Sequence, residues 1–172
     1  MCSSDLGLSL LPGETLDGVR VHLRGNVELT EELPLALRHG AEGVGLFRSE
    51  FLYLDRSAPP SEEEQLSAYR VVLEAMAPQP VTIRSLDLGG DKLAPEINIS
   101  DELNPALGLR AVRFSLKERR LFKTQLRAIF RASAFGQARL MLPMISGVAE
   151  LWACRELDRK STRLNSSHVS QS

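Results

Sequence analysis

Two segments of the 172-residue chain run from an apolar, strand-like stretch directly into an arginine. The first covers residues 40–51 and places Arg48 and Glu50 after the apolar run Val-Gly-Leu-Phe. The second covers residues 81–92 and places Arg84 after Val-Thr-Ile. Strands usually end in turn residues, so two strand ends that both carry a guanidinium group indicate a pocket for an anion, with phosphate or carboxylate as the best match.

The composition is that of an ordinary globular domain, with 43% hydrophobic and 25% charged residues and a formal net charge of -1. This charge gives no support to a nucleic-acid or membrane-surface role. No apolar run approaches the roughly 20 residues of a membrane helix, and no signal peptide is visible. Cys2 and Cys154 form neither a disulfide framework nor a metal-binding spacing. We therefore expect a cytoplasmic protein that binds neither nucleic acid nor membrane.

Both ends of the chain resemble translated DNA of a common sequencing-library adapter. Residues 158–168 match one strand read in frame, and residues 1–6 match the opposite strand. We therefore expect residues 1–6 and 158–172 to be non-native, and the natural protein to continue past both; sequencing the source gene from unamplified DNA tests this. A polar, disordered tail is the alternative reading of the carboxyl end. The remaining chain divides into a linker at 7–18 and a domain at 19–157.

Within that domain, strand and helix patterns alternate four times. The predicted strands cover residues 19–27, 44–47, 81–88 and 140–145. The predicted helices cover residues 29–38, 62–76, 107–115, 116–134 and 148–157. This order predicts an α/β fold with a parallel sheet and helical crossovers. Four βα units make the first half of a (β/α)8 TIM barrel, in which chemistry lies at the carboxyl ends of the strands.

The helix predicted over residues 116–134 has an apolar face with a 3.6-residue period and a basic opposite face. The basic residues are Arg119, Arg120, Lys123, Arg127 and Arg131. No aromatic residues alternate with them, which favours a solvated outer helix face over a nucleic-acid surface.

Four motifs carry a resemblance to a known family: Gly-Leu-Phe-Arg-Ser-Glu-Phe at 45–51, Leu-Gly-Gly-Asp-Lys at 88–92, Asn-Pro-Ala-Leu-Gly-Leu-Arg at 104–110 and Arg-Ala-Ser-Ala-Phe-Gly at 131–136. In this order and spacing they resemble the phosphoenolpyruvate-binding barrel of the phosphoenolpyruvate–protein phosphotransferases, enzyme I of the bacterial sugar phosphotransferase system. The resemblance covers most of residues 19–157.

The resemblance implies a phosphotransferase that moves the phosphoryl group of phosphoenolpyruvate to a histidine on a separate domain and releases pyruvate. It also implies Mg²⁺ as cofactor, a histidine phosphocarrier protein as the next acceptor and a homodimeric full-length enzyme. Two alternatives stay open: a nitrogen-regulatory paralogue of the same enzyme, and a non-catalytic binding or assembly fragment.

The resemblance also assigns site residues. Arg48 and Arg84 bind the phosphate of the substrate, and Lys92 and Arg110 complete the positive wall of the site. Without the resemblance, an arginine followed two residues later by a glutamate is more typical of a surface ion pair. Lys92, in a glycine-rich turn, would then be a solvated side chain.

Glu50 and Asp87 are expected to hold the arginines in place rather than to react. No catalytic residue or metal ligand is assigned, because the family's phosphohistidine, its acid cysteine and its acidic metal ligands would lie outside this chain. We expect Cys154 to pack in the core. We also expect this polypeptide alone to lack phosphotransferase activity, which measurable pyruvate release would contradict.

Overall fold

Four parallel strands form one sheet in the computed structural model of the chain, which describes residues 11–88 and 109–166. The strands are β1 (Gly25–Val27), β2 (Val44–Arg48), β3 (Val81–Arg84) and β4 (Ala138–Met141), and they lie side by side in chain order. This confirms the predicted α/β fold with a parallel sheet. The barrel is not closed in the part of the chain that is described.

Within residues 11–88 and 109–166, five α-helices connect or follow the strands. They are α1 (Leu33–Arg38), α2 (Glu62–Met76), α3 (Val112–Lys117), α4 (Arg119–Ala132) and α5 (Val148–Ser166). Short 3-10 turns cover Thr30–Glu32, Ser49–Tyr53 and Ser133–Phe135. Helix α2 begins at the predicted residue 62 with a capping box, in which the hydroxyl of Ser61 accepts a hydrogen bond from the amide of Glu64 at 3.2 Å, while the Glu64 carboxylate accepts one from the Ser61 amide at 2.8 Å.

The main core lies between the sheet and helices α2 and α4. Phe47 of β2 and Ile83 of β3 are neighbours across the two strands, and both are buried in one cluster with Tyr69 and Ile129 from the helices. The rings of Phe47 and Tyr69 meet edge to face, with centroids 6.1 Å apart. Because successive strand residues alternate between the two faces of a sheet, burial of Phe47 and Ile83 directs the residues that follow them to the other face.

Gly43 brings the start of β2 close to the chain that leads into β3. Its φ is +145°, and a Cβ at this position would lie 2.6 Å from the carbonyl oxygen of Pro80. The same carbonyl accepts the amide of Val44 at 2.9 Å. Glycine therefore permits the close approach that sets the β2–β3 register.

Ion pairs between helices account for part of the basic face of α4. Arg127 Nε lies 2.7 Å from a Glu62 carboxylate oxygen of α2, and Arg131 Nη1 lies 3.0 Å from the other. Two of the five basic residues thus join α4 to α2. The face that was predicted to be solvated is therefore only partly so, because Arg127 and Arg131 are paired across the helix interface.

Several predicted boundaries are wrong. Val19, Val21 and Leu23 alternate with polar residues, but they are exposed and lie before β1, in a turn that a single bridge between Glu14 and Arg20 closes. A period of two without a face to bury gives no stable strand. Strand β3 ends at Arg84 rather than 88, β4 spans 138–141 rather than 140–145, and α5 continues to Ser166 rather than ending at Leu157.

In the described part of the chain, no helix has the length and apolar character needed to cross a membrane.

Candidate functional site

Arg48 and Arg84 meet at the carboxyl edge of the sheet. Each is the last residue of its strand, and the β2–β3 register pairs their Cα atoms directly. Both follow a residue that points into the helical layer, so both side chains leave the sheet on the other face. The parallel sheet therefore brings together two guanidinium groups that are 36 residues apart in the chain.

Glu50 holds both arginines. One of its oxygens, Oε1, accepts a hydrogen bond from Arg48 Nε at 2.9 Å and also pairs with Arg84 Nη2. The Glu50 side chain is only 5% exposed. Its second oxygen and Arg84 Nε are buried and have no hydrogen-bond partner in the described structure. A buried donor and a buried acceptor without partners are costly in a folded protein, and such atoms commonly mark the place of a ligand or an ordered water.

Asp87 is the second carboxylate that holds Arg84, and it links Arg84 to Arg110. Its Oδ2 lies 3.2 Å from Arg84 Nη1, and its Oδ1 accepts a hydrogen bond from Arg110 Nε at 3.1 Å. The Asp87 side chain is largely buried, whereas that of Arg110 is 40% exposed. Arg110 reaches this position from the segment that leads into α3.

Glu28 is a member of the site that the sequence did not reveal. It directly follows β1 and pairs with Arg48 Nη1, while the Arg48 guanidinium also lies 4.8 Å above the centre of the Phe51 ring. Hydrogen bonding to Glu50, together with the charges of Glu50 and Glu28, raises the pKa of Arg48 above its ordinary value. A residue between a predicted strand and a predicted helix carries no periodic signal, so only the three-dimensional structure could place it here.

The residues of this site form one row of alternating charge, in the order Glu28, Arg48, Glu50, Arg84, Asp87 and Arg110. Three guanidinium groups face three carboxylates, so their formal charges balance. The carboxylates fix the directions of the arginines. An anion that enters the row must therefore compete with carboxylates for guanidinium donors or draw on further positive charge.

The structure brings together five of the six residues that the sequence assigned to the site. Arg48, Arg84, Arg110, Glu50 and Asp87 are in mutual contact through the pairs described above. Lys92 lies outside the described residues. The cluster is built from guanidinium and carboxylate groups, whose chemistry is binding, orientation and stabilisation of charge.

A buried hydrogen-bond network lies behind the two arginines. The side-chain amide of Gln125 donates to the hydroxyls of Ser49 and Tyr69, at 2.9 Å and 3.2 Å, and its oxygen accepts the amide of Leu86 at 2.9 Å. The hydroxyl of Ser49 in turn donates to the carbonyl oxygen of Arg84 at 2.6 Å. Sequence reasoning missed Gln125, although a signal existed: it is a polar residue on the apolar face of α4.

The same network extends into helix α2. Tyr69 and Tyr53 both donate to the Gln65 side-chain oxygen, at 3.3 Å and 3.0 Å, and the Gln65 amide donates to the Pro60 carbonyl at 3.1 Å. Burial raises the pKa of both tyrosines above their ordinary value, so both keep their protons and act as donors.

The described residues contain no group of three or more His, Cys, Asp or Glu side chains that could hold a metal ion. Glu50 and Asp87, the carboxylates nearest the site centre, are each engaged by two arginines. This donor set suits an anion rather than a divalent cation, because guanidinium groups around a carboxylate oppose a further positive charge.

Comparison with known proteins extends the picture from the site to the whole domain. The model of the family "PEP-utilising enzyme, PEP-binding domain" matches residues 7–171. The chain belongs to this family of PEP-utilising enzymes. Its open half-barrel and its arginine-bearing strand ends agree with the resemblance seen in the motifs.

Several curated relatives of this PEP-binding domain are nearly half identical to it. A multiphosphoryl transfer protein of Rhodobacter capsulatus is 49% identical over 146 residues, which cover 85% of this chain and 18% of that protein. A phosphoenolpyruvate-protein phosphotransferase of Geobacillus stearothermophilus is 48% identical over 136 residues, which cover 79% and 24%. One of Staphylococcus aureus is 42% identical over 156 residues, which cover 90% and 27%. The chain thus spans about a quarter or less of the length of these relatives.

Proposed function

We propose that this PEP-binding domain serves an enzyme that transfers the phosphoryl group of phosphoenolpyruvate to a protein histidine and releases pyruvate. Two relatives that cover most of the chain carry the name phosphoenolpyruvate-protein phosphotransferase. The observation that carries the proposal is the direct pairing of Arg48 and Arg84 at the ends of adjacent strands, with Glu50 between them.

In this proposal Arg48 and Arg84 bind the phosphate group. Phosphoryl transfer passes through a loose transition state whose charge is spread over three oxygens, so catalysis consists mainly of positioning and charge stabilisation. Guanidinium groups suit this task because they stay charged and present several donors in one plane. Arg84 is the better fixed of the two, since its side chain is 15% exposed and both Glu50 and Asp87 hold it.

Arg110 and Lys92 extend the positive wall in this proposal. Arg110 is the most exposed of the three arginines, with 40% of its side chain accessible, so it has room to bind the carboxylate or phosphate of the substrate. Lys92, which closes the segment Gly-Gly-Asp-Lys at 89–92, would add the positive charge that the balanced row of arginines and carboxylates lacks.

The wider setting follows the family resemblance. We propose that the full-length enzyme is cytoplasmic, forms a homodimer, passes its phosphoryl group to a histidine phosphocarrier protein and so takes part in sugar transport. PEP-utilising enzymes generally depend on Mg²⁺, but the carboxylates in the described part of the site do not fit that ion, because arginines already engage them.

Calorimetry with phosphoenolpyruvate in Mg²⁺ buffer tests the proposal on the 172-residue chain. We expect wild type to bind and Arg84→Ala to bind at least about tenfold more weakly, because loss of one partner of a buried, hydrogen-bonded charge is costly. Arg84→Lys keeps the charge but loses the planar fork of donors, so its affinity should be intermediate.

Arg20→Ala is the matched control, because Arg20 is an exposed arginine that pairs with Glu42, a residue that precedes β2 at the other edge of the sheet. Circular dichroism shows whether each variant is folded. A folded wild type without affinity for phosphoenolpyruvate would contradict the proposal. Equal affinities of wild type, Arg84→Lys and Arg84→Ala would contradict it as well.

A further inference from the structure

We propose that Gln125 is a positioning residue that sets the spacing between the two arginine-bearing strand ends. This inference rests on the proposed function, since the spacing matters only if Arg48 and Arg84 bind one phosphate group. Gln125 contacts neither guanidinium group among the contacts described. It acts through Ser49, whose hydroxyl binds the Arg84 carbonyl, and through the amide of Leu86, two residues after Arg84.

The contacts of Gln125 lie where the strand ladder stops. The β2–β3 register ends at the pair Arg48 and Arg84. The first residue after β3, Ser85, donates its amide to the carbonyl oxygen of Met141 in β4 at 2.9 Å, away from β2. Beyond the last register pair, β2 and β3 are joined through Gln125, which binds the Ser49 hydroxyl on one side and the Leu86 amide on the other.

Ser49 closes the connection. It directly follows Arg48, and its hydroxyl donates to the carbonyl oxygen of Arg84 at 2.6 Å while accepting from Gln125 at 2.9 Å. Ser49 and Gln125 thus fix the backbone immediately after one arginine to the backbone of the other. A shift of about 1 Å in such supporting positions is enough to weaken binding or catalysis strongly.

The side chain of Gln125 has one possible orientation. Its oxygen must face the amide of Leu86, because an amide nitrogen placed there would set one donor against another. Its nitrogen then has two hydrogens, which serve Ser49 and Tyr69. Gln125 is fully buried, so water cannot replace any of these bonds.

A structural role alone would also make Gln125 sensitive to substitution, because loss of a buried polar partner destabilises any fold. Gln65 provides the comparison. It is buried to almost the same degree and binds Tyr53, Tyr69 and Pro60, but its contacts lie on the α2 side of the network and none is with a strand end.

The experiment compares Gln125→Met with Gln65→Met in two measurements. The first is the NMR signals of the arginine Nε–H groups, assigned through Arg48→Lys and Arg84→Lys. The second is calorimetry with phosphoenolpyruvate. We expect Gln125→Met to shift the Arg48 and Arg84 signals and to weaken binding by about tenfold, as expected for misplaced binding groups. Gln65→Met should lower the melting temperature without either effect.

Ser49→Ala is the milder second variant, since it removes one link but keeps the bonds of Gln125 to Leu86 and Tyr69. It should shift the same two arginine signals, and it decides the matter if Gln125→Met does not fold. Unchanged arginine signals in the folded variants would overturn the inference. Failure of wild type to bind phosphoenolpyruvate would instead contradict the proposed function, because the NMR comparison requires no ligand.

Discussion

Arg48 is held by two carboxylates of different character. Glu50 is buried, whereas Glu28 is about one-third exposed and approaches from the end of β1. A phosphate group that binds Arg48 can therefore displace Glu28 more readily than Glu50, because the exposed carboxylate regains its hydration when it leaves. At the scale of single residues, Glu28 is thus a competitor for the proposed substrate, and Glu50 is a fixed part of the site.

Glu28→Gln should raise the affinity for phosphoenolpyruvate by a few-fold, because the neutral amide competes less well for the Arg48 guanidinium. Its effect on the free energy of unfolding should stay within about 1 kcal/mol, as is typical of an exposed ion pair. Calorimetry and urea unfolding measure the two quantities.

Glu31→Gln is the control for the loss of one negative charge, since Glu31 lies on the neighbouring 3-10 turn and its described hydrogen bond is with Thr30. An affinity that falls in Glu28→Gln would show that Glu28 supports binding rather than opposing it.

Glu50→Gln should destabilise the fold by about 2 kcal/mol, because it removes the shared partner of two guanidinium groups, one of them mostly buried. The exposed pair of Glu74 with Arg70 on α2 gives the control, and Glu74→Gln should cost no more than about 0.5 kcal/mol. Urea unfolding of both variants tests this. If Glu50→Gln and Glu74→Gln unfolded at the same urea concentration, a supporting role for Glu50 would be contradicted.

Sequence reasoning reached the site residues to different degrees. Arg48 and Arg84 could be placed together because parallel strands align their carboxyl ends, and each arginine ends its strand. The partners of the arginines were harder to assign. Glu28 belongs to no periodic pattern, and Gln125 lies on an apolar helix face where a polar residue is easily overlooked. Both contacts join residues at least 20 positions apart in the chain, which local patterns cannot specify.

At the scale of elements, the start of α2 is the best-predicted feature, because the capping box needs only residues 61–64 and is encoded locally. The segment 19–23 shows the opposite case. Its residues alternate between apolar and polar, but Val19, Val21 and Leu23 remain exposed in the described structure. A stable strand needs a second strand to pair with and a packed layer that buries one of its faces. Whether such a layer exists cannot be read from a window of five residues.

Glu64 makes the stability of α2 dependent on pH. The hydrogen bond from Arg56, followed by those from the amide and hydroxyl of Ser61, lowers the pKa of Glu64 from 4.5 to about 2 in the folded chain. A pKa lowered by folding stabilises the protein above the unfolded value, and this contribution is lost as pH falls through the folded value. Glu64→Gln should therefore have a lower urea midpoint than wild type at pH 7, and this difference should shrink below pH 4.5 and vanish near pH 2.

The comparison between wild type and Glu64→Gln at each pH removes the titration of all other carboxylates. A difference that stays constant between pH 7 and pH 2 would contradict the assignment of the low pKa to this capping residue.

At the scale of the whole molecule, a second cluster joins α4, α5 and β4. Cys154 of α5 is buried there with Phe122 and Leu126 of α4, which agrees with the packing role expected from the sequence. Burial raises the pKa of the Cys154 thiol to about 11. Reaction of this thiol therefore reports whether α5 stays docked on the rest of the domain.

In a Cys2→Ser background, Cys154 should react at least about a hundredfold more slowly with a thiol reagent at pH 8 in the folded chain than in urea, because the thiol is covered and only a small fraction is ionised. Absorbance of the released chromophore gives the rate. Equal rates in buffer and in urea would show that α5 does not remain packed against α4.

The central claim is that Arg48 and Arg84 together bind the phosphate of phosphoenolpyruvate. A crystal structure of the chain grown with phosphoenolpyruvate tests it most directly. We predict that phosphoryl oxygens accept hydrogen bonds from both guanidinium groups at about 2.7–2.9 Å, with Glu50 still in contact with Arg84. A phosphoryl group bound elsewhere on the chain, in contact with neither arginine, would contradict the claim.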